Sequence, residues 1–447
     1  MSTVRRHLGA GAALSVLVQG GPLLAAGVLS IVLARTIGPS ANGDFALLAT
    51  LTGLTAMVVS LGLTAGITYE VGRGRWAVRG ALRASYVAAL VLGVLGMIGG
   101  LVFFELTRDS VFAGISQGIA LVALLSLPAV LAYQYQDAIL LGREYYEGYA
   151  ALELTHAAGI LVFGAGLGLI FGLSGAVVGL PAAAFAGAAV GAVLLARLAR
   201  REPVVDSGDS FVSAVRFGLQ SWGSNLLQQI NYRFDLLILG GFATAGDVGV
   251  YSVALTLTAT AWVLPQALQT VVFPRAASLY ESASSGGVST RDANTAVERT
   301  IRHGVLLTIP AGLIVAALLL VAVPLLYGPE FHQTIGLGFV LLPAVLVIGV
   351  AKILSSIIAG RGRPRYTLYV AAISAPVTLI FYFTLIPAFH AWGAAVGSAL
   401  SYTVTSVLTL IFFRRATGIG FREAFVPTRH DVGDYRLAAR LARERFR

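Results

Sequence analysis

Twelve windows of about 20 apolar residues, each long enough to cross about 30 Å of hydrocarbon as a helix, run through this 447-residue chain. They fall at roughly 9–34, 45–69, 84–105, 117–141, 149–171 and 175–197, then at 215–241, 248–272, 303–326, 335–359, 367–388 and 391–413. Backbone in lipid must satisfy its own polar groups, so only helices or a closed barrel can span it. Windows of this length select helices, since a barrel strand needs only about 10 residues. The expected fold is an all-α polytopic membrane protein. Composition agrees: 57% of residues are hydrophobic and 12% charged, against about 25% charged in ordinary globular domains. With no cysteine in the chain, disulfides and cysteine-ligated metals are excluded, and no motif calls for a cofactor. "MSTVRRHLGAGAALSVLVQG" lacks a small-residue cleavage site and reads as a retained first span.

Basic residues orient the spans, because cytoplasmic loops are enriched in Lys and Arg. The N-terminus, the C-terminal tail and the loops after even-numbered spans hold most of the 31 basic residues; the opposite loops hold only Arg35 and Arg108. Both termini are therefore expected in the cytoplasm of a cell with a multi-pass plasma-membrane protein. The net charge of +10 is mostly this topology signal, together with attraction to anionic headgroups, and no nucleic-acid partner is expected.

The two halves resemble each other. "GDFALLATLT" (43–52) aligns on "GVYSVALTLT" (249–258) at an offset of 206, and "LPAVL" recurs at 127–131 and 342–346 at an offset of 215. Span 2 thus matches span 8 and span 4 matches span 10. Six spans per half keep the copies parallel, an arrangement found in transporters that carry cargo between two lobes. The expected organisation is an N-lobe at 1–198, a linker at 199–211, a C-lobe at 212–413 and a basic tail at 414–447. The fold then holds about twelve transmembrane helices in two parallel-repeat six-helix lobes.

Ionisable groups inside spans are functional candidates by default. On span 7, Asn225, Gln228, Tyr232 and Asp235 follow helical spacing and share one face. Arg233 lies about 160° around the helix from Asp235, so each needs its own partner. At the 206 offset, Gly27 and Leu29 stand opposite Arg233 and Asp235, which makes these charges an addition to the second half. At the 215 offset, Asp137 corresponds to Lys352, the one lysine of the chain. Asp137 and Lys352 either form a deeper charged layer or pair across the lobes. Glu153 and His156, on "LELTHAAG", are expected to be solvated near the inner end of span 5, with a proton relay as the sharper alternative. In the tail, Arg436, Arg440, Arg443 and Arg447 share a helical stripe suited to anionic lipid.

No G-x-x-x-x-G-K-[ST] and no H-E-x-x-H occurs, so neither a P-loop ATPase nor that zinc-protease motif is encoded. The outer loops are short, which argues against a membrane-embedded glycan polymerase or ligase.

Several stretches, in order, carry a family resemblance: "LARTIGPSANGDFALLATLT", "NYRFDLLILGGFATAGDVGVYSVALTL", "LPQALQTVVFPRAASLY", "LYGPEFHQTIGLGFVLLP", "AGRGRPR" and "IPAFHAWGAAVGSALSY". Together they resemble the polysaccharide repeat-unit (Wzx-type) flippases, or polysaccharide biosynthesis export proteins, of the multidrug/oligosaccharidyl-lipid/polysaccharide exporter superfamily. The resemblance implies a central cavity open alternately to the two sides and a polyprenyl-(pyro)phosphate-linked oligosaccharide moved outward for glycan assembly. It implies cationic cavity contacts to phosphate or acidic sugars, a role that Arg233 takes by its place in the R-x-D stretch and that Lys352 takes without a motif behind it. Residues 8–34 carry no charge, unlike the arginine-bearing first span of some lipid-linked precursor flippases, so a lipid II-type cargo is disfavoured. The expected function is lipid-linked oligosaccharide flipping, with Asp235, Asp137, Glu153 and His156 as coupling or charge-pair residues and glycan-assembly enzymes as partners. The alternatives are an ion-coupled exporter of small amphipathic compounds on the same fold, a polymerase or ligase, and a non-transporting scaffold.

Overall fold

In the computed structural model, residues 2–200 and 210–426 are described, and the expected linker and basic-tail stripe therefore lie largely or wholly outside the described residues. The described residues are helical throughout, with no strand among them. Eight segments are long and apolar enough to cross a membrane, and three of these are too long for one crossing: Gly20–Val59, Tyr146–Ala199 and Arg365–Thr417, of 40, 54 and 53 residues. Each contains a non-helical residue near its middle, Gly38 (φ 78°), Gly172 (φ 60°) and His390 (φ 48°). The chain reverses at these points. Ser30 meets Asn42 across Gly38, Gly164 lies against Gly179 across Gly172, and Leu385 lies against Gly393 across His390.

Counting each reversed segment as two helices gives α1 (2–37), α2 (39–72), α3 (Val78–Thr107), α4 (117–142), α5 (146–171) and α6 (173–199). The second half holds α7 (Ser210–Phe242), α8 (245–284), α9 (290–327), α10 (His332–Gly360), α11 (365–389) and α12 (391–417). A five-residue α13 (Phe421–Phe425) follows. The 33-residue α7 is long enough to cross, and its polar stripe holds its hydropathy below that of its neighbours. These twelve helices coincide with the twelve windows of the sequence, so the Arg35 and Arg108 connections share one end of the bundle. We refer to the arginine-poor and arginine-rich ends.

Contacts between the two sets of six are made chiefly by α1 to α3; no extensive packing joins α4–α6 to α8–α12. At the arginine-poor end, α2 meets the start of α8 backbone to backbone. A Cβ on Gly43 would lie 1.9 Å from the Ala245 carbonyl oxygen, and one on Gly249 2.0 Å from that of Pro39. At the 206 offset Gly43 matches Gly249 and Pro39 matches Ala245, so the repeat read from the sequence makes a reciprocal contact with itself. Arg35 adds a clasp, its Nε donating to the Leu326 carbonyl at 2.7 Å and its Nη2 to that of Leu325. Toward the other end α2 meets α7 just as closely. A Cβ on Gly62 would lie 2.3 Å from the Gly218 carbonyl oxygen, Trp222 Nε1 donates to the Met57 carbonyl at 3.2 Å, and Tyr69 stacks on Phe217 with centroids 4.1 Å apart.

Candidate functional site

The polar stripe of α7 divides along its length. Asn231 and Asp235 are buried, whereas Asn225, Gln228 and Arg233 are exposed. Asp235 accepts from the Tyr251 hydroxyl of α8 at 2.5 Å, the Ser398 hydroxyl of α12 at 3.0 Å and the Leu236 backbone N–H at 2.8 Å. A buried carboxylate is tolerated where its lone pairs are met by donors, and here three donors meet it. Asn231 continues the network to α11: its Nδ2 donates to Ser374 Oγ at 2.9 Å, and Thr378 Oγ1 donates to its Oδ1 at 2.7 Å. The Tyr382 hydroxyl donates to the Asn231 carbonyl at 3.2 Å. This network ties α7, α8, α11 and α12 together. Arg233 has no part in these bonds, and no ion pair to a described residue engages it.

Lys352 of α10 occupies an aromatic box. Its Nζ lies 3.8 Å from the centre of the Trp262 ring and 5.0 Å from that of Tyr232. Tyr402 of α12 completes the aromatic cluster, its ring centroid 5.7 Å from Tyr232 and 5.9 Å from Trp262. The box has a local cause. Pro265 has no N–H to give to the preceding turn of α8, which relaxes to a 3₁₀ turn at Thr260–Trp262. Gly349 of α10 lets the Pro265 ring come close, a Cβ there lying 3.1 Å from Pro265 Cγ. Trp262 Nε1 donates to the Val345 carbonyl at 3.0 Å, and Gln269 Nε2 to that of Lys352 at 2.7 Å. No carboxylate among the described residues pairs with the ammonium, so the cross-lobe pairing with Asp137 does not form.

Asp137 instead belongs to a cluster between α4, α5 and α6. The Tyr133 hydroxyl donates to Glu153 Oε1, and the Tyr133 ring stacks on His156 with centroids 4.5 Å apart. Gly187 of α6 admits that stack, since a Cβ there would lie 3.0 Å from Tyr133 Cδ2 and 3.4 Å from His156 Cβ. Asp137 Oδ1 is buried and finds no hydrogen-bond partner among the described residues. Asp137 and Glu153 lie close enough to interact electrostatically. Glu153 and His156 are thus engaged side chains of intermediate burial rather than freely solvated ones.

Of the residues singled out from the sequence, the fold brings Tyr232 to Lys352, and Asp137, Glu153 and His156 to one another. Asn225 and Gln228 join neither group, and Arg233 bonds to neither while lying close enough to Tyr402 and Asp235 to interact electrostatically. Sequence reasoning passed over Trp262, Tyr402, Tyr133 and Tyr251. The one local signal was Pro265 three residues after Trp262, which marks a break in α8.

With this geometry in view, comparison with known proteins is informative. Residues 8–280 match the family described as polysaccharide biosynthesis protein. The chain belongs to that family. It is 27% identical over 216 residues to "Probable flippase AglR" of Haloferax volcanii, a match covering 46% of this chain and 42% of that protein. It is also 27% identical over 190 residues to "Probable low-salt glycan biosynthesis flippase Agl15" of the same organism, covering 42% and 39%. The match thus spans about two-fifths of the length of these curated relatives. Among solved structures the fold resembles the lipid II flippase MurJ in an inward closed conformation, with a TM-score of 0.69, 12% identity and coverage of 90% and 87%. It also resembles an inward-facing multidrug transporter of the MATE family, at 0.61, 18%, 91% and 94%. At such identities the likeness is one of fold, that of a polytopic helical membrane protein.

Proposed function

We propose that this protein flips a polyprenyl-(pyro)phosphate-linked oligosaccharide between membrane leaflets by alternating access, without catalysing a covalent step. Residues 1–198 and 212–413 act as the two lobes, joined by the 199–211 linker. The arginine-rich end, with both termini, faces the cytoplasm of a plasma membrane, as the distribution of basic residues favours. Cargo moves outward for glycan assembly, alongside glycan-assembly enzymes, and the basic tail rests on anionic headgroups.

The observation that carries this reading is Lys352, an ammonium of intermediate burial with no carboxylate partner among the described residues, held over Trp262 and Tyr232. Contacts to aromatic faces are worth about 0.5–2 kcal/mol. That offsets only part of the cost of removing an ammonium from water. A phosphate supplies the missing anion, and the rings beside it offer flat apolar faces to sugar. Arg233, also unpaired among described residues, gives a second cationic contact nearer the arginine-poor end. Asp137, Glu153 and His156 carry the coupling ion or proton in the other lobe, and Asp235 holds α7 against α8 and α12. Membership in the polysaccharide biosynthesis family and the flippase names of the curated relatives support the same conclusion.

Replacing Lys352 or Arg233 by alanine, with surface expression confirmed, is expected to lower glycan export by roughly tenfold each, the worth of a charge-assisted contact. Lys352→Arg is expected to retain most of it. Undiminished export in both alanine variants would remove the cationic-site mechanism.

A further inference from the structure

A groove of about 560 Å³ runs along the outside of the line where α2 and α7 meet. Its walls are Leu61 of α2, Val87 and Val91 of α3, and Phe211 and Val215 of α7; the one charged residue lining it is Arg83. Val87, Val91 and Phe211 are 64%, 51% and 40% exposed, so the groove opens sideways toward lipid. Arg83 is exposed and forms no ion pair with a described residue. Arg79, also exposed, lies one turn below it on α3. At the same level α2 is broken. Leu61 (φ 49°) and Gly62 (φ 68°) adopt left-handed backbone, which costs a non-glycine residue roughly 1–2 kcal/mol. That strained turn sets Leu61 into the groove wall.

Position argues for a particular occupant. A cargo with its polar head between the lobes and its chain in the bilayer has to straddle a line where the lobes meet. The α2–α7 contact is such a line, and this groove lies over it. Arg233 lies eighteen residues above Val215, five full turns at 100° per residue, so on a regular helix its guanidinium, which forms no ion pair with a described residue, falls on the same face. Resting on the flippase reading above, we propose that the groove seats the polyprenyl chain of the cargo as it enters at the arginine-rich end, with Arg83 meeting the phosphate before it passes to Lys352.

The test uses the full-length protein in phosphatidylglycerol nanodiscs containing a trace of diazirine-bearing polyprenyl monophosphate. Photolabelling is expected on the stretches 83–92 and 211–215 and is suppressed by unlabelled polyprenyl phosphate. Arg83→Gln and Val91→Trp, each checked for monodisperse elution, are expected to weaken labelling by roughly tenfold. Val102→Trp, at an exposed site farther along α3, leaves it unchanged. Labelling confined to other stretches overturns the proposal, as does groove labelling that unlabelled polyprenyl phosphate fails to suppress, which marks a bulk-lipid site. Proteoliposome transport of a lipid-linked oligosaccharide separates the two ideas. Transport with an unlabelled groove removes the seat and keeps the flippase, whereas absent transport with a labelled groove removes the flippase reading.

Discussion

Asp235 and Arg233 stand two residues apart on α7, and only Asp235 is part of a hydrogen-bond network. A helix turns about 200° over two residues, so Asp235 faces α8 and α12 while Arg233 points to another side, still near enough for Asp235 and Tyr402 to feel its charge. The Asp235 carboxylate is met by Tyr251, Ser398 and its neighbouring backbone N–H, so it needs no countercharge from Arg233. Leucine at 235 removes the carboxylate acceptor and leaves the Tyr251 and Ser398 hydroxyls with each other, the Ala394 carbonyl and the Tyr382 hydroxyl, and hydrogen bonds to a charged group are worth about 1.5–3 kcal/mol. Asp235→Leu is therefore expected to lower the thermal midpoint in detergent by several degrees, and Asp235→Asn, which keeps an acceptor oxygen, by much less. Equal midpoints for Leu and wild type would mean that the network contributes nothing to stability. The polar face of α7 was legible in the sequence because helical period is local information. The Lys352 box was not, because Trp262, Tyr232 and Tyr402 lie on three different helices and only packing brings them together.

At the scale of elements, α2 carries the contact between the halves. Gly43 and Gly249 let α2 and α8 touch backbone to backbone at the arginine-poor end. A side chain at either position meets a carbonyl rather than a yielding side-chain tip. Gly43→Val is expected to force that end apart, and Arg35→Ala, which loses the clasp on Leu325 and Leu326, to loosen it more mildly. The chain has no native cysteine, so one introduced at Val111, which packs near Gly240 and Gly241 across the same seam, reports the change directly. Faster reaction with a membrane-impermeant maleimide is expected in both variants, the larger in Gly43→Val. An unchanged rate in both would show that these contacts do not hold the end shut. The twelve windows and the 206 offset came from length and pattern alone. That the repeat touches itself through Pro39–Gly43 and Ala245–Gly249 depended on how the halves dock, which no local pattern records.

For the whole molecule, the alternating access proposed above requires that contacts at one end break as those at the other form. Here α2 is packed on α8 at the arginine-poor end and on α7 toward the arginine-rich end, while α4–α6 and α10–α12 stay apart. Rocking of one half on the other then has to loosen one of the two α2 contacts. The α2–α7 contact is the one that the Tyr69–Phe217 stack covers. Tyr69→Cys with Phe217→Cys in the cysteine-free chain places two thiols across that line, within reach of a short bifunctional maleimide. Bridging is expected to abolish transport in proteoliposomes, each single-cysteine variant treated with the same reagent is expected to remain active, and a reducible linker is expected to restore transport on cleavage. Full transport by the bridged protein would mean that the α2–α7 contact persists through the cycle, leaving the α2–α8 contact as the one that must open.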